Sequence, residues 1–243
     1  MSEFKIPTEE VELPSKGIVY PESNPLSNGK IELKYMTAKE EDILSNQSYI
    51  KKGIVIDKLL QSLITNKDVN YNDLIVGDKN ALMVAARVLG YGKNYSFEYD
   101  GDELEVDLSL IDPKPLDESL YTKGVNNFSY TLPSTDTPIT FKILTHKDEL
   151  SIQRELEGLK KVSKNNPPEI STRLKYLITS VDGDTDPKSI REFVDKYMLA
   201  QDSRALRKHI RNFQPDIDLS FFPPESDKSS PIPINLNFFW PDV

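Results

Sequence analysis

The spacing of apolar residues changes several times along this sequence, and this limits the fold more than any single motif. Lys30–Tyr35 alternates apolar and polar residues, as a half-buried strand does. Ile56–Ile64 instead has apolar residues at i, i+3, i+4, i+7 and i+8, which is the spacing of one helix face. Asp100-Gly101 separates two alternating segments and predicts a two-residue type I′ hairpin. Hairpins interspersed with helices predict an α+β fold with several antiparallel β-hairpins.

Short polar signals predict where the helices begin. Thr37-x-x-Glu40 has the pattern of a capping box in front of an apolar face. Asp78 and Asp202 each stand before a segment with helical periodicity, so we expect both to be N-caps. Asp186-Pro187 combines a cap with a proline at the first helical position.

The order of these signals predicts two small units in the 243-residue chain. The first is an α+β unit over residues 1–110 that contains the Asp-Gly hairpin. The Pro-containing run IDPKPLDESL at 111–120 reads as a linker. The second is an α+β unit over residues 121–243, with helices at about 147–213 and a terminal hairpin. One of these helices is expected to carry Leu174, Leu177, Ile178 and Val181 on a single face.

The composition excludes several classes of protein. Lys and Arg total 30 against 39 Asp and Glu, and the net charge of −9 argues against a protein that mainly neutralises nucleic-acid phosphates. The chain has no cysteine, which excludes disulfides, thiolate catalysis and Cys-ligated metals. Its longest apolar runs are about five residues, whereas a membrane span needs roughly 20. We therefore expect no membrane span, and the N-terminus has no signal-peptide pattern.

One acidic loop has a partial cation-binding pattern. Asp182, Asp184 and Asp186 occupy positions 1, 3 and 5 of an EF-hand-like loop. Position 6 is Pro187 where glycine is needed, and position 12 is Phe193 where glutamate is needed. The favoured interpretation is a turn between two helices whose last aspartate caps the next helix. Whether the loop binds a cation is left open.

The sequence predicts no catalytic, cofactor-binding or metal site. His146 and His209 are the two histidines, and no spacing brings carboxylates toward either, so both are interpreted as surface or boundary residues. The chain lacks a Gly-rich phosphate loop, G-x-S-x-G and H-E-x-x-H. We therefore expect a protein that is not an enzyme and needs no cofactor.

Two segments have the character of interaction surfaces instead. In Arg204–Arg211, Leu206 and Ile210 fall on one helix face while Arg204, Arg207 and Arg211 fall elsewhere, which predicts a solvated face or a face that meets an acidic protein. Three consecutive aromatic residues close the chain: Phe238, Phe239 and Trp240. A strand buries only alternate residues, so one of these rings either faces a partner or packs on the chain's own core.

Five segments together resemble the baseplate hub subunit family of T-even-type contractile-tailed bacteriophages. They are ELPSKGIVY at 12–20, YMTAKEEDIL at 35–44, GDKNALMVAARVLGYGKNY at 77–95, TSVDGDTDPKSIREFVDKYMLAQDSRALRKHI at 179–210 and NFFWP at 237–241. They cover nearly the whole chain in the same order. None of them is a catalytic motif, so the likeness indicates a lineage and not a reaction.

The resemblance implies a late protein that takes part in virion assembly. It would be a structural or assembly protein of the central hub, it would bind other tail and hub proteins, and it would lie in the virion tail baseplate. An alternative is a chaperone of hub assembly that acts in the host cytoplasm and leaves the particle. A third alternative is a tail-associated hydrolase. Self-association, copy number and symmetry are left open.

Members of the resembled family carry cysteine pairs at hairpin tips that suggest small zinc knuckles. At the matching tips this chain has Tyr99–Asp102 and Phe222–Ser226, without cysteine. The departure puts a metal at these tips in doubt, and turn residues would have to hold the tips together instead.

Overall fold

A computed structural model describes residues 5–162, 167–224, 226–234 and 238–240. Within these ranges the chain forms eight α-helices: α1 Ala38–Leu44, α2 Gln47–Lys51, α3 Val55–Leu63, α4 Val76–Tyr91, α5 His146–Val162, α6 Glu169–Leu177, α7 Pro187–Lys196 and α8 Ala200–Phe213. Short strands lie between and after the helices: β1 Thr8–Glu12, β2 Lys30–Lys34, β3 Asn94–Tyr99, β4 Asp102–Asp107, β5 Phe128–Thr131, β6 Pro138–Phe141, β7 Ile178–Val181, β8 Ser220–Phe221 and β9 Ser230–Pro231.

The strands form small antiparallel sheets. Three sheets have two strands each, β1-β2, β3-β4 and β8-β9, and one has three, in the order β5-β6-β7. Helices account for most of the remaining regular structure. The predicted α+β class with antiparallel hairpins is therefore confirmed.

The Asp-Gly hairpin forms as predicted. Asp100 and Gly101 both have positive φ, 55° and 92°, as a type I′ turn requires. Tyr99 then pairs with Asp102, and the register continues to Asn94 opposite Asp107.

Two of the four predicted helix starts are confirmed and two are wrong. Thr37 and Glu40 form the capping box of α1, and α7 begins at Pro187 after Asp186. Asp78 and Asp202 are not N-caps, because α4 and α8 begin two residues earlier and both carboxylates point into the protein interior. Each accepts hydrogen bonds from a segment that is remote in sequence.

The helix predicted to carry Leu174–Val181 is wrong in its second half. Helix α6 ends at Leu177, and Ile178–Val181 forms β7, which pairs with β6. Ile178 and Ser180 are buried while Thr179 and Val181 are half-buried, the alternation of a strand. β-Branched residues favour this conformation, and the free edge of β6 supplies the pairing partner.

The apolar core contains residues from both halves of the chain, for example Leu60, Phe97, Phe141 and Leu206. The segment predicted as a linker runs beside the chain that follows α8. Within that segment, the Lys114 amide donates to the Asp216 carbonyl at 2.8 Å, and Pro113 bridges to Ile217. The division into two units at 111–120 stays a prediction.

The terminal hairpin forms with strands of two residues each, β8 and β9. It packs against the Asp-Gly hairpin, since the rings of Phe97 and Phe221 meet edge to face at 5.0 Å. The Tyr95 hydroxyl also donates to the Pro233 carbonyl at 2.7 Å. Residues 235–237, which follow β9 in the predicted terminal hairpin, lie outside the described residues.

Candidate functional site

Helix α8 carries the predicted basic residues on its outer side. Leu206 and Ile210 are buried, as the helical spacing predicts, whereas Arg204 and Arg211 are exposed. Lys208 is also exposed, and its position at i+4 from Arg204 places it on the same face as Arg211 at i+7. Arg207 lies at the margin between the two faces, with its Nε donating to the Ser203 carbonyl at 3.3 Å.

The exposed cations of α8 differ from other arginines of the chain in their surroundings. Arg173 and Arg191 each bind a glutamate through two nitrogens, at 2.7–3.0 Å and 2.8 Å. Among the described residues, no carboxylate forms an ion pair with Arg204, Lys208 or Arg211. The outer face of α8 therefore presents positive charge that no described carboxylate neutralises.

An apolar groove lies beside this face, between α6 and the start of α8. Its volume is about 620 Å³. Several apolar residues at or next to it are unusually exposed, Ile170 by 51%, Tyr197 by 62% and Leu199 by 49%. The groove itself is lined mainly by these residues: Pro168, Ile170, Leu174, Val194, Met198, Ala200 and Ser203. Exposed apolar surface next to charge is a feature of protein interfaces.

The opposite side of α8 is held by aromatic stacking. The ring of His209 stacks on Tyr130 at 4.5 Å and on Phe213 at 5.5 Å, and its edge meets Phe141. Burial lowers the pKa of His209. The half-buried ring agrees with the boundary position that we predicted, and its contacts fix which face of α8 points outward.

The C-terminal aromatic residues divide between core and surface. Phe238 and Phe239 are 0% and 2% exposed, and the edge of Phe238 meets the ring of Tyr95 at 5.0 Å. These two rings pack on the chain's own core, which is one of the two alternatives that the sequence left open. Trp240 is half-buried and keeps accessible surface. Partner contact by this segment stays a prediction.

One cluster of ionisable groups was missed by the sequence analysis. His146 is only 4% exposed, so the surface or boundary position predicted for it is wrong. Its Nδ1 lies 3.4 Å from the Lys79 Nζ, and its Nε2 lies 3.8 Å from the Asp57 carboxylate. Asp57 also binds Lys79 and accepts a hydrogen bond of 2.9 Å from the Tyr71 hydroxyl. These residues are remote from one another in sequence, and no spacing rule connects them.

The cluster borders a cleft of about 600 Å³, but its polar groups already bind each other. Burial lowers the pKa of His146, and the nearby Lys79 acts in the same direction against the opposing effect of Asp57. Glu149, also on the cleft wall, is held by Arg173 at 2.7 Å. The arrangement joins α3, α4 and α5 and stabilises the fold there.

The Asp182–Asp186 loop is a turn between strand and helix, and not between two helices as we expected. Val181 and Asp184 exchange backbone hydrogen bonds of 2.9 Å, and Asp182 and Gly183 have positive φ. The Asp184 carboxylate accepts from the Asp186 amide at 2.8 Å, which lowers the pKa of Asp184. Within the part of the chain that the structure describes, no three histidine or carboxylate side chains lie close enough to hold a metal ion.

No protein-family model, curated protein or solved structure matches this chain. Among the described residues, no helix has both the length and the apolar character needed to cross a membrane.

Proposed function

We propose that this chain is a structural or assembly protein of a contractile phage tail baseplate hub and that it acts by binding neighbouring tail proteins. The observation that carries the proposal is the cationic face of α8, which no described carboxylate neutralises, beside exposed apolar residues. Arg204, Lys208 and Arg211 lie on one face of this helix, and no described carboxylate forms an ion pair with them, in a chain of net charge −9. The five segments that resemble the hub family support the assignment to a phage tail.

The chemistry of this surface indicates what it would bind. The exposed apolar residues would form the desolvated centre of a contact, and Arg204 and Arg207 would lie at its rim. Charges at a rim mainly accelerate association and select partners of opposite sign. The expected partner surface is therefore apolar at its centre and acidic at its edge.

Mass spectrometry with isotope-labelled standards tests the proposal. The chain is quantified in purified phage particles and in complexes isolated from infected cells. A small fixed copy number in particles supports a hub subunit. Presence in complexes with hub proteins, together with absence from particles, supports the assembly chaperone. Absence from both contradicts the proposal.

A further inference from the structure

Strand β1 has one edge that no other strand of the described part of the chain covers. The Leu13 amide donates to the Gly29 carbonyl, and the Tyr35 amide donates to the Pro7 carbonyl, at 2.8 and 3.0 Å. In an antiparallel pair, hydrogen-bonded positions alternate with positions whose backbone groups point away from the partner strand. The register therefore directs the amide and carbonyl groups of Thr8, Glu10 and Glu12 away from β2.

The other edge of this two-stranded sheet is occupied. The Thr65 amide donates to the Glu32 carbonyl at 3.1 Å, and Leu33 bridges to Ile64. Among the described residues, nothing equivalent binds the outward backbone groups of β1. An edge with unpaired amides and carbonyls is a template for a further strand.

A groove of about 480 Å³ runs along this open edge. Four successive β1 residues, Glu9–Glu12, line it. Because successive side chains point to opposite faces, four in a row can border one groove only along the edge of the strand. The floor of the groove is the apolar surface of α4, formed by Ala81, Val84, Ala85, Val88 and Leu89. The wall opposite β1 is uncharged and is formed by Ser109, Ile111 and Pro113.

The strand side of the groove is acidic. Glu9, Glu10 and Glu12 lie there with one cation, Lys30, which is 2.6 Å from Glu10 and 3.7 Å from Glu12. Three carboxylates against one ammonium leave this wall with a net charge of −2. Glu10 and Glu12 are on the solvent face, and Glu9 and Val11 are on the face toward the floor.

We propose that this groove binds an extended segment of a partner protein, which adds to β1 as a third strand. The segment alternates apolar residues, which contact α4, with basic residues, which face Glu10 and Glu12. Strand addition takes its affinity from backbone hydrogen bonds and its specificity from such alternating side chains. Binding of such a segment requires only this groove and is independent of any role in a phage tail.

A second copy of this chain is a poor occupant. Pairing β1 of one copy with β1 of another would place TEEVE against TEEVE. Carboxylates would then lie opposite or diagonal to carboxylates across the pair, and like charges in such positions destabilise a sheet. A basic strand from another protein has the complementary charge.

The test is a binding titration of the full chain with a fluorescein-labelled peptide, Thr-Lys-Val-Lys-Val-Lys-Val-Lys-Thr. The control peptide has the same composition with its lysines and valines in separate blocks. Strand addition predicts that the alternating peptide binds about tenfold more tightly than the control. Hydrogen exchange should also show protection of the Thr8, Glu10 and Glu12 amides on binding.

Two variants at one position isolate the backbone contribution. Glu10→Pro removes an outward amide without breaking a bond to β2, a change that edge strands tolerate. Glu10→Thr removes the same carboxylate but keeps the amide. We expect Glu10→Pro to bind about tenfold more weakly than Glu10→Thr, with thermal midpoints that differ little.

Three results would overturn the proposal. One is equal affinity for the alternating and block peptides, which indicates charge attraction alone. Another is equal affinity of the Glu10→Pro and Glu10→Thr variants. The third is a wild-type dimer in sedimentation that Glu10→Pro converts to monomer, since a second copy would then occupy the edge.

Discussion

The carboxylate of Asp78, in the first turn of α4, accepts a hydrogen bond of 2.6 Å from the hydroxyl of Tyr20. The same carboxylate accepts from the amide and the hydroxyl of Ser15, at 2.9 and 2.6 Å. The Tyr20 oxygen in turn accepts from the Ile75 amide at 3.0 Å. Through these hydrogen bonds, a single fully buried carboxylate links the turn after β1 to the start of α4.

The Asp78→Asn variant tests these hydrogen bonds, because the difference in stability between it and wild type should depend on pH. Burial raises the pKa of Asp78 from 3.8 to about 6, and hydrogen bonds from Ser15 and Tyr20 oppose the rise without cancelling it. A raised pKa in the folded state means that folding takes up a proton, so this group contributes stability at low pH that is lost as pH rises toward 6. Relative to wild type, the variant should be penalised most below about pH 3, and the penalty should shrink by about 3 kcal/mol by pH 7.

Urea unfolding of both proteins across this range of pH measures the effect. A penalty that grows with pH would contradict the raised pKa. Ser15→Ala is the companion variant, because it removes one donor to the carboxylate and leaves the titrating group in place.

The sequence predicted a helix in the region of α4 but did not indicate the structural role of Asp78. An aspartate before a periodic segment has the pattern of an N-cap, and the pattern is local. In the structure the Ile75 amide already has an acceptor in Tyr20, which comes from a turn far away in sequence. Because α4 begins at Val76, Asp78 lies inside the first turn and not in front of it, and only the tertiary contact reveals its role.

Glu40→Gln should destabilise the start of α1. Burial alone would raise the pKa of Glu40, but hydrogen bonds from Lys34, Ser62 and Thr37 outweigh it and lower the pKa from 4.5 to about 2. The stability that this carboxylate contributes is complete above its ordinary pKa and is lost as pH falls toward 2. We expect a loss of about 2 kcal/mol at pH 7, since hydrogen bonds to a charged group contribute in that range.

Denaturant titrations at pH 7 and near pH 2 would show the difference, with the loss almost absent in acid. The matched control is Glu41→Gln, because Glu41 is the exposed neighbour on the same helix. If both variants lost equal stability, the capping box would not be the cause.

Phe238→Ala distinguishes packing on the core from anchoring of a partner. The ring is fully buried against Tyr95, and truncation of a buried phenylalanine costs about 3 kcal/mol or more. Phe222 is 70% exposed, so Phe222→Ala should change the free energy of unfolding by about 0.5 kcal/mol or less. Thermal unfolding compares the two variants. A Phe238→Ala protein as stable as wild type would favour the partner-binding alternative.

The sequence predicted parts of the candidate site and missed others for identifiable reasons. The 3.6-residue spacing of Leu206 and Ile210 was sufficient to show which side of α8 is buried. The groove beside α8 was not predictable, because Ile170 of α6 and Met198, which lies between α7 and α8, meet only through tertiary packing. Strand β7 was missed because its short apolar pattern also fits a helix, and the choice is made by pairing with β6.

Reversing the charge of α8 tests its proposed role directly. Arg204→Glu together with Arg211→Glu replaces two exposed cations that have no ion pair among the described residues, so folding should be unaffected within about 0.5 kcal/mol. Attraction of an acidic partner would become repulsion, and tail proteins that co-purify with the tagged chain from infected cells should fall about tenfold. The control, Lys161→Glu with Lys188→Glu, makes the same change in net charge at exposed sites on α5 and α7. An equal loss with both double variants would mean that net charge, and not the α8 face, governs the interaction.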